Sequence, residues 1–259
     1  MTSYSLSPGM LCLLICLISL AGFVDSAAGG GGLISLPAYL FAGLPAHLAY
    51  GSNKFSAACG TTFSAAHFFR HGALDVPVAL LAAAGSFAGS ALGSHIVLLI
   101  SDAALKGMLL VLLPLAAGVL LWQRRLPDED RTVPGLSPRK LLTALGIGFG
   151  IGCYDGIFGP GTGTFAILAF TTLMGYDLRK ANGNAKVLNL ASNYASVITF
   201  LLSGMVVFSV AIPCALGNIA GNLLGARLAL KKGARFIRPM MLAVLALLLL
   251  RIGWSTLGL

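Results

Sequence analysis

Apolar runs follow one another along nearly the whole chain, at 11–24, 47–69, 76–100, 104–122, 141–153, 164–174, 185–203, 205–226 and 240–250. A helix of about 20 apolar residues matches the hydrocarbon thickness of a bilayer. Lipid offers no water to backbone N–H and C=O groups, so a spanning segment must satisfy them internally. Together these facts dictate an all-α polytopic membrane protein. Only 10% of its residues are charged and 57% are hydrophobic, against about a quarter charged in a soluble domain. The largest polar insert, 123–140, is too short for a soluble domain and reads as a loop between two halves. A net charge of +9 would suggest nucleic acid in a soluble protein. In a membrane chain it sets topology and meets anionic lipid, so the bilayer is the expected partner. The five cysteines all lie in apolar segments and form no CxxC pair, which gives no reason to expect a metal or cofactor. Residues 11–28 resemble a signal peptide, but no Lys or Arg precedes them and the segment recurs later.

Two stretches break the apolar pattern in the same way. GFVDSAAGGGG at 22–32 and GCYDGIFGPGTG at 152–163 each place one acid, Asp25 or Asp155, just before a run of glycines. A charge at membrane depth is costly and glycine weakens a helix. Both faults recurring at matching positions point to paired broken helices. The match extends well beyond them. Gly22, Asp25, Gly29 and Gly31 align with Gly152, Asp155, Gly159 and Gly161; Gly51, Lys54 and Ser64 align with Gly183, Lys186 and Ser196. GSFAGSALG at 85–93 falls on GNIAGNLLG at 217–225. The chain is therefore a duplication, with a repeat at 1–123, a linker at 124–140 and a second repeat at 141–259.

Charge decides how the halves face. If each glycine run turns the chain back, Arg70, Arg124, Arg125, Arg131, Arg139, Lys140, Arg179, Lys180, Arg227, Lys231, Lys232, Arg235 and Arg238 share one face, leaving Lys106 and Arg251 on the other. That imbalance is what the excess of cytoplasmic Lys and Arg predicts. It implies two inverted repeats of about eight transmembrane helices in all. The first helix of each repeat is broken or re-entrant, the linker is cytoplasmic and both termini are non-cytoplasmic.

Lys54 and Lys186 are the two basic residues left inside helices. Asn182, Lys186, Asn189, Asn193 and Ser196 share one helical face, and Tyr50, Lys54, Thr61 and Ser64 repeat it. Such stripes suit a polar pathway, although a lysine can also snorkel to the surface. Asp25 and Asp155 either cap or pair within the fold, or carry protons or substrate. A helix that begins at a glycine turn presents free N–H groups and a partial positive charge. Gly30, Gly31 and Gly32, with Gly161 and Gly163, could therefore approach an anion. The expectation is an electropositive pocket for a small anion. It would be lined by Lys54, Lys186, these glycines, Asn189 and Asn193, with Asp25 and Asp155 in coupling or pairing roles. The four-residue glycine spacing at 85–93 and 217–225 reads as close helix packing.

The segments DSAAGGGGLISLPAYLFAGLPAHLAYGSNK at 25–54, GCYDGIFGPGTGTF at 152–165 and ANGNAKVLNLASNYASVITFLLSG at 181–204 resemble the TauE/SafE family of sulfite and organosulfonate exporters, the toluene sulfonate uptake permease group. FFRHGALD at 68–75 and GSFAGSALG at 85–93 extend the resemblance over most of the chain. It implies a cell inner-membrane carrier of small sulfur-containing anions. The expected function is thus a secondary transporter, exporting sulfite, a sulfonate or a related sulfur or carboxylate compound by alternating access. The alternative is a passive anion channel of the same architecture. An anion leaving a cell that is negative inside gains about 2.3 kcal/mol per charge at 100 mV, so export needs no proton. No Ser–His, Cys–His or HExxH pattern suggests an enzyme. Self-association stays open.

Overall fold

A computed structural model describes residues 6–101, 103–105, 107–108, 130–132, 135–233, 235–237 and 239–240. Most of the linker, the ends of both repeats, Lys106 and Arg251 lie outside the described residues. Within these limits the chain is helical and no strand occurs. The helices are α1 (Pro8–Ala28), α2 (Gly32–Phe41), α3 (Ala46–Arg70), α4 (Val76–Leu99), α5 (Pro138–Ile157), α6 (Thr162–Met174), α7 (Leu178–Leu202) and α8 (Phe208–Lys232). α5 thus begins inside the stretch assigned to the linker.

Local chemistry sets their ends. Ser7, Asp75, Ser137 and Asp177 accept hydrogen bonds from the first free N–H groups of α1, α4, α5 and α7. Proline occupies the first turn of α1, α4 and α5, where it has no hydrogen bond to lose. By length and composition α1, α4, α7 and α8 can each cross a bilayer. α3 and α5 are of similar length, at 25 and 20 residues, but less apolar. α2 and α6, with 10 and 13 residues, extend only about 15 and 20 Å.

The halves interlock instead of packing side by side. Among the described residues, the last long helix of each half runs along the first helix of the other, α4 on α5 and α8 on α1. Gly85, Gly89 and Gly93 meet the α5 backbone at Leu145, Phe149 and Cys153; Gly217, Gly221 and Gly225 meet α1 from Ile15 to Ser26. A Cβ on Gly221 would lie 1.9 Å from the Ser19 carbonyl oxygen, so the glycine spacing is the helix contact. Both pairs run parallel. α3 and α7 run in opposite directions. Gly51 near the start of α3 lies against Phe200 and Met205, Thr61 bonds Asn193, and Ala73 beyond its end lies against Gly183.

These directions bring the end of α3, the starts of α4, α5 and α7, and the end of α8 to one end of the molecule. All described Lys and Arg residues except Lys54 and Lys186 gather there. Asp75 receives Lys140 at 3.2 Å and the Tyr176 hydroxyl at 2.5 Å. Burial raises the Asp75 carboxyl, but these partners outweigh it and hold the group below its ordinary value. Lys180 bonds Asp130 at 2.6 Å.

The glycine runs are reversals. Gly31 lies against the Ala21 carbonyl and the Asp25 side chain, so α2 folds back along α1. In the second half the Tyr154 hydroxyl donates to the Pro160 carbonyl at 2.6 Å. Its ring meets Phe165 edge-on at 5.2 Å, so α6 returns along α5.

Candidate functional site

The two reversals touch each other. Gly29, at φ 77°, sits against Gly163 so closely that a Cβ on Gly29 would lie 2.1 Å from the Gly163 carbonyl carbon. Only glycine allows both that backbone angle and that approach. Thr164 fastens the contact, its N–H donating to the Gly29 carbonyl at 3.2 Å and its hydroxyl to Ala28 at 2.7 Å.

Each interior lysine crosses to the acid of the other half. Lys54 on α3 lies 2.6 Å from Asp155 Oδ2 on α5, and 3.4 Å from Asn193 Oδ1 on α7. Lys186 on α7 lies 2.8 Å from Asp25 Oδ2 and 2.6 Å from the Asp25 carbonyl oxygen on α1. Thr162 donates to Asp155 Oδ1 at 2.8 Å. Lys54, Asp155 and Lys186 are buried, while the Asp25 side chain keeps 17% exposure. Every ammonium faces a carboxylate. The electropositive pocket expected from the lysines alone is therefore corrected to a charge-balanced one. The physical reason is desolvation: a buried charge stays ionised only with a partner this close.

The two pairs are not equivalent. The last turn of α1 leaves carbonyls short of helical partners; Asp25 keeps the Gly29 N–H at 2.7 Å, and the second half supplies the further donors. Lys186 serves Asp25, Asn182 Nδ2 serves Ser26 and Ala27 at 3.1 Å each, and Thr164 serves Ala28 and Gly29. Lys186 thereby places a cation on the negative end of a helix dipole. Lys54 has no such carbonyl ligand. It faces a cavity of about 30 Å³ between the halves, lined by Ala21, Asp25, Gly31, Gly32, Ser35, Asn53, Lys54, Ala57, Asp155, Gly159, Asn189, Asn193 and Asn218. That is room for a water or two. Asn53 is 7% exposed, and its amide oxygen has no hydrogen-bond partner.

Of the residues singled out in the sequence, the cavity brings together Lys54, Gly31, Gly32, Asn189, Asn193, Asp25 and Asp155. Lys186 stands behind Asp25. Gly30 and Gly161 do not line the cavity, and Gly163 packs on Gly29. Asn53, Asn218, Ser35 and Thr162 were not singled out. Asn218 had a signal: two asparagines, Asn218 and Asn222, stand between glycines of an apolar helix. That helix was assigned to packing alone. Asn53 directly precedes Lys54 and falls off the striped face, so helical spacing passes it over. Among the described residues no group of His, Cys, Asp and Glu could hold a metal ion.

The family model described as "Sulfite exporter TauE/SafE" matches residues 14–252. A "Probable membrane transporter protein" of Haemophilus influenzae is 41% identical over 232 residues, covering 89% of each chain. The Escherichia coli K12 "Probable membrane transporter protein YfcA" is 36% identical over 247 residues, 95% of this chain and 90% of that one. A Bacillus subtilis protein, "Probable membrane transporter protein YdhB", is 26% identical over 239 residues, covering 88% of this chain and 94% of its own. No solved structure matches this chain.

Proposed function

Because the chain belongs to the TauE/SafE sulfite exporter family of membrane transporters, we propose that it is a secondary transporter of a small anion. The substrate is sulfite, an organosulfonate or a related sulfur or carboxylate compound, and the direction is export across the cell inner membrane. The observation that carries this reading is the charged cavity where the two glycine reversals meet. Its walls come from both halves, and the crossed Lys54–Asp155 and Lys186–Asp25 pairs hold those halves together. Relative motion of the halves would break or make these pairs, which is the requirement for alternating access around a fixed site.

The repeats at 1–123 and 141–259 are inverted in this reading. The opposed directions of α3 and α7 support inversion, as do the equivalent packings α4 on α5 and α8 on α1. The basic end faces the cytoplasm together with linker 124–140, since cytoplasmic loops hold the excess of Lys and Arg. α1 starts at the opposite end, so the N-terminus is non-cytoplasmic, and the inversion puts the C-terminus there too. Lys54 is the cation that meets substrate, with Asn189, Asn193, Gly31 and Gly32 beside it; Lys186 holds Asp25 in place.

Anion flux in vesicles tests the proposal. Purified protein reconstituted with sulfite or a sulfonate inside should exchange it for labelled anion outside and show counterflow. Lys54→Met should lower that exchange at least tenfold while the protein still inserts. Exchange unchanged by Lys54→Met sinks the role of this site, and flux without counterflow supports a channel instead.

A further inference from the structure

The charge count of the cavity carries a consequence for energetics. Three ionisable groups that carry charge line it, Lys54, Asp25 and Asp155, with Lys186 behind Asp25, and the four sum to zero. The groups facing Asp155 are Lys54 from α3, Asp25 across the cavity from α1, and the neighbouring Tyr154 phenol on α5. α6 contributes Thr162, α7 contributes Asn189 and Asn193, and α4 meets this part of α5 with Ser90, Gly93 and Ser94. Lys186 is turned away, bound to both the carboxylate and the carbonyl of Asp25. Among the described residues no spare cation stands ready for an incoming anion.

The space is equally committed. Room for a water or two does not seat an oxyanion of four or more heavy atoms beside an intact Lys54–Asp155 contact of 2.6 Å. Lys54 must turn from Asp155 towards the anion, where the unpartnered Asn53 amide oxygen can accept a hydrogen bond from the Lys54 ammonium. Asp155 then keeps only the Thr162 hydroxyl. A buried carboxylate stripped of its cation takes up a proton. Asp25 differs, because Lys186 is held at the end of α1 by the carbonyl as well as by the carboxylate and stays with it.

Resting on the reading of the cavity as the substrate site, we propose that the protein carries a singly charged anion together with one proton, and that Asp155 is the proton's site. On loading, the Lys54 ammonium exchanges Asp155 Oδ2 for the anion, and one proton from solution binds the freed carboxylate. The site is neutral before and after, and no bond of the substrate breaks. The carrier is therefore electroneutral. Membrane potential gives export no help, and the gradients of anion and proton together set the direction.

Vesicles containing the wild-type protein, a pH dye and either sulfite or a sulfonate that does not titrate near neutrality test this. The expected result is sulfonate flux that carries no current, moves one proton per anion and does not change when a potential is imposed with potassium and valinomycin. Current equal to the flux overturns the inference and leaves the transporter reading intact. No flux of any offered anion overturns both. Asp155→Asn should abolish proton movement while the sulfonate still raises the melting temperature of the purified variant. Asp25→Asn should keep the one-to-one ratio in whatever flux remains. Loss of coupling in Asp25→Asn but not in Asp155→Asn overturns the assignment to Asp155. The wild-type current decides the matter even if neither variant folds.

Discussion

Lys54 and Asp155 sit 2.6 Å apart with 3% and 2% of their side chains exposed, which permits a sharp test of how the halves are held. Replacing Lys54 with Met leaves Asp155 buried with only the Thr162 hydroxyl. Replacing Asp155 with Asn leaves the Lys54 ammonium with the Asn193 oxygen at 3.4 Å and the new amide. Each single change strands a charge, and breaking a buried pair in this way costs about 3–5 kcal/mol. Changing both removes the desolvation penalty along with the attraction, so the double variant should lie within about 1–2 kcal/mol of wild type. The coupling is then about 3 kcal/mol or more. For a chain of this size the single variants should melt roughly 10 °C lower and the double variant only a few degrees lower. Helical circular dichroism of the purified proteins during heating reads this directly. Single effects that add to within about 0.5 kcal/mol in the double variant would mean the pair does not couple, and the argument from burial fails.

Asn182 donates to two carbonyls at the end of α1. Asn182→Ala should cost about 1–3 kcal/mol for each carbonyl left dry, read by the same melting curve. Gly163 approaches Gly29 backbone to backbone, with 2.4 Å left for a Cβ. Gly163→Ala should therefore abolish monodisperse protein in gel filtration, whereas Gly150→Ala, with open space around it, should be tolerated. The Asp130–Lys180 contact at the basic end gives a small pH effect. Burial raises Asp130, but hydrogen bonds from Lys180 and Thr132 reverse this and bring it to about 2. A carboxyl lowered on folding contributes stability above its ordinary value of 3.8 and loses it as pH falls through about 2. Lys180 is 43% exposed, so screening keeps the pair below about 1 kcal/mol. Asp130→Asn should lower stability by up to that amount at pH 7 and by a small fraction of it at pH 2.

The helices and the reversals were legible because their causes are local. Apolar length makes a helix in lipid, and Gly29–Gly32 and Gly159–Gly163 interrupt it where nothing else would. The glycine contacts of 85–93 and 217–225 were legible as spacing but not as partners, since no local signal says that α4 packs on the opposite half. The lysines were legible as buried charges. Asp25 and Asp155 were legible as candidate partners, but which acid meets which lysine was not, because each pair joins residues more than a hundred positions apart, Lys54 with Asp155 and Asp25 with Lys186. Adding the two helix starts to the two lysines led to a positive pocket. Pairing across the halves cancels that charge.

Duplication explains the crossing of the pairs, and departures from it explain why the two differ. Lys54 and Lys186 are equivalent in the repeat, and so are Asp25 and Asp155. But the position of Asn182 is held by Tyr50 in the first half, so α5 gets no side-chain amide at its end where α1 gets one. The Tyr50 hydroxyl is buried without a partner, and the end of α5 turns instead through Phe158 and the Tyr154–Pro160 bond. One reversal is thus fastened to the opposite half by Lys186, Asn182 and Thr164 together. The other shares the Thr164 contact and packs along α4, but its acid is held across the halves by a single ion pair that faces the cavity. Two equal copies would share motion and binding equally. In the proposed transport, an anion arriving at Lys54 would therefore break the Lys54–Asp155 pair and leave Lys186 with both the carboxylate and the carbonyl of Asp25.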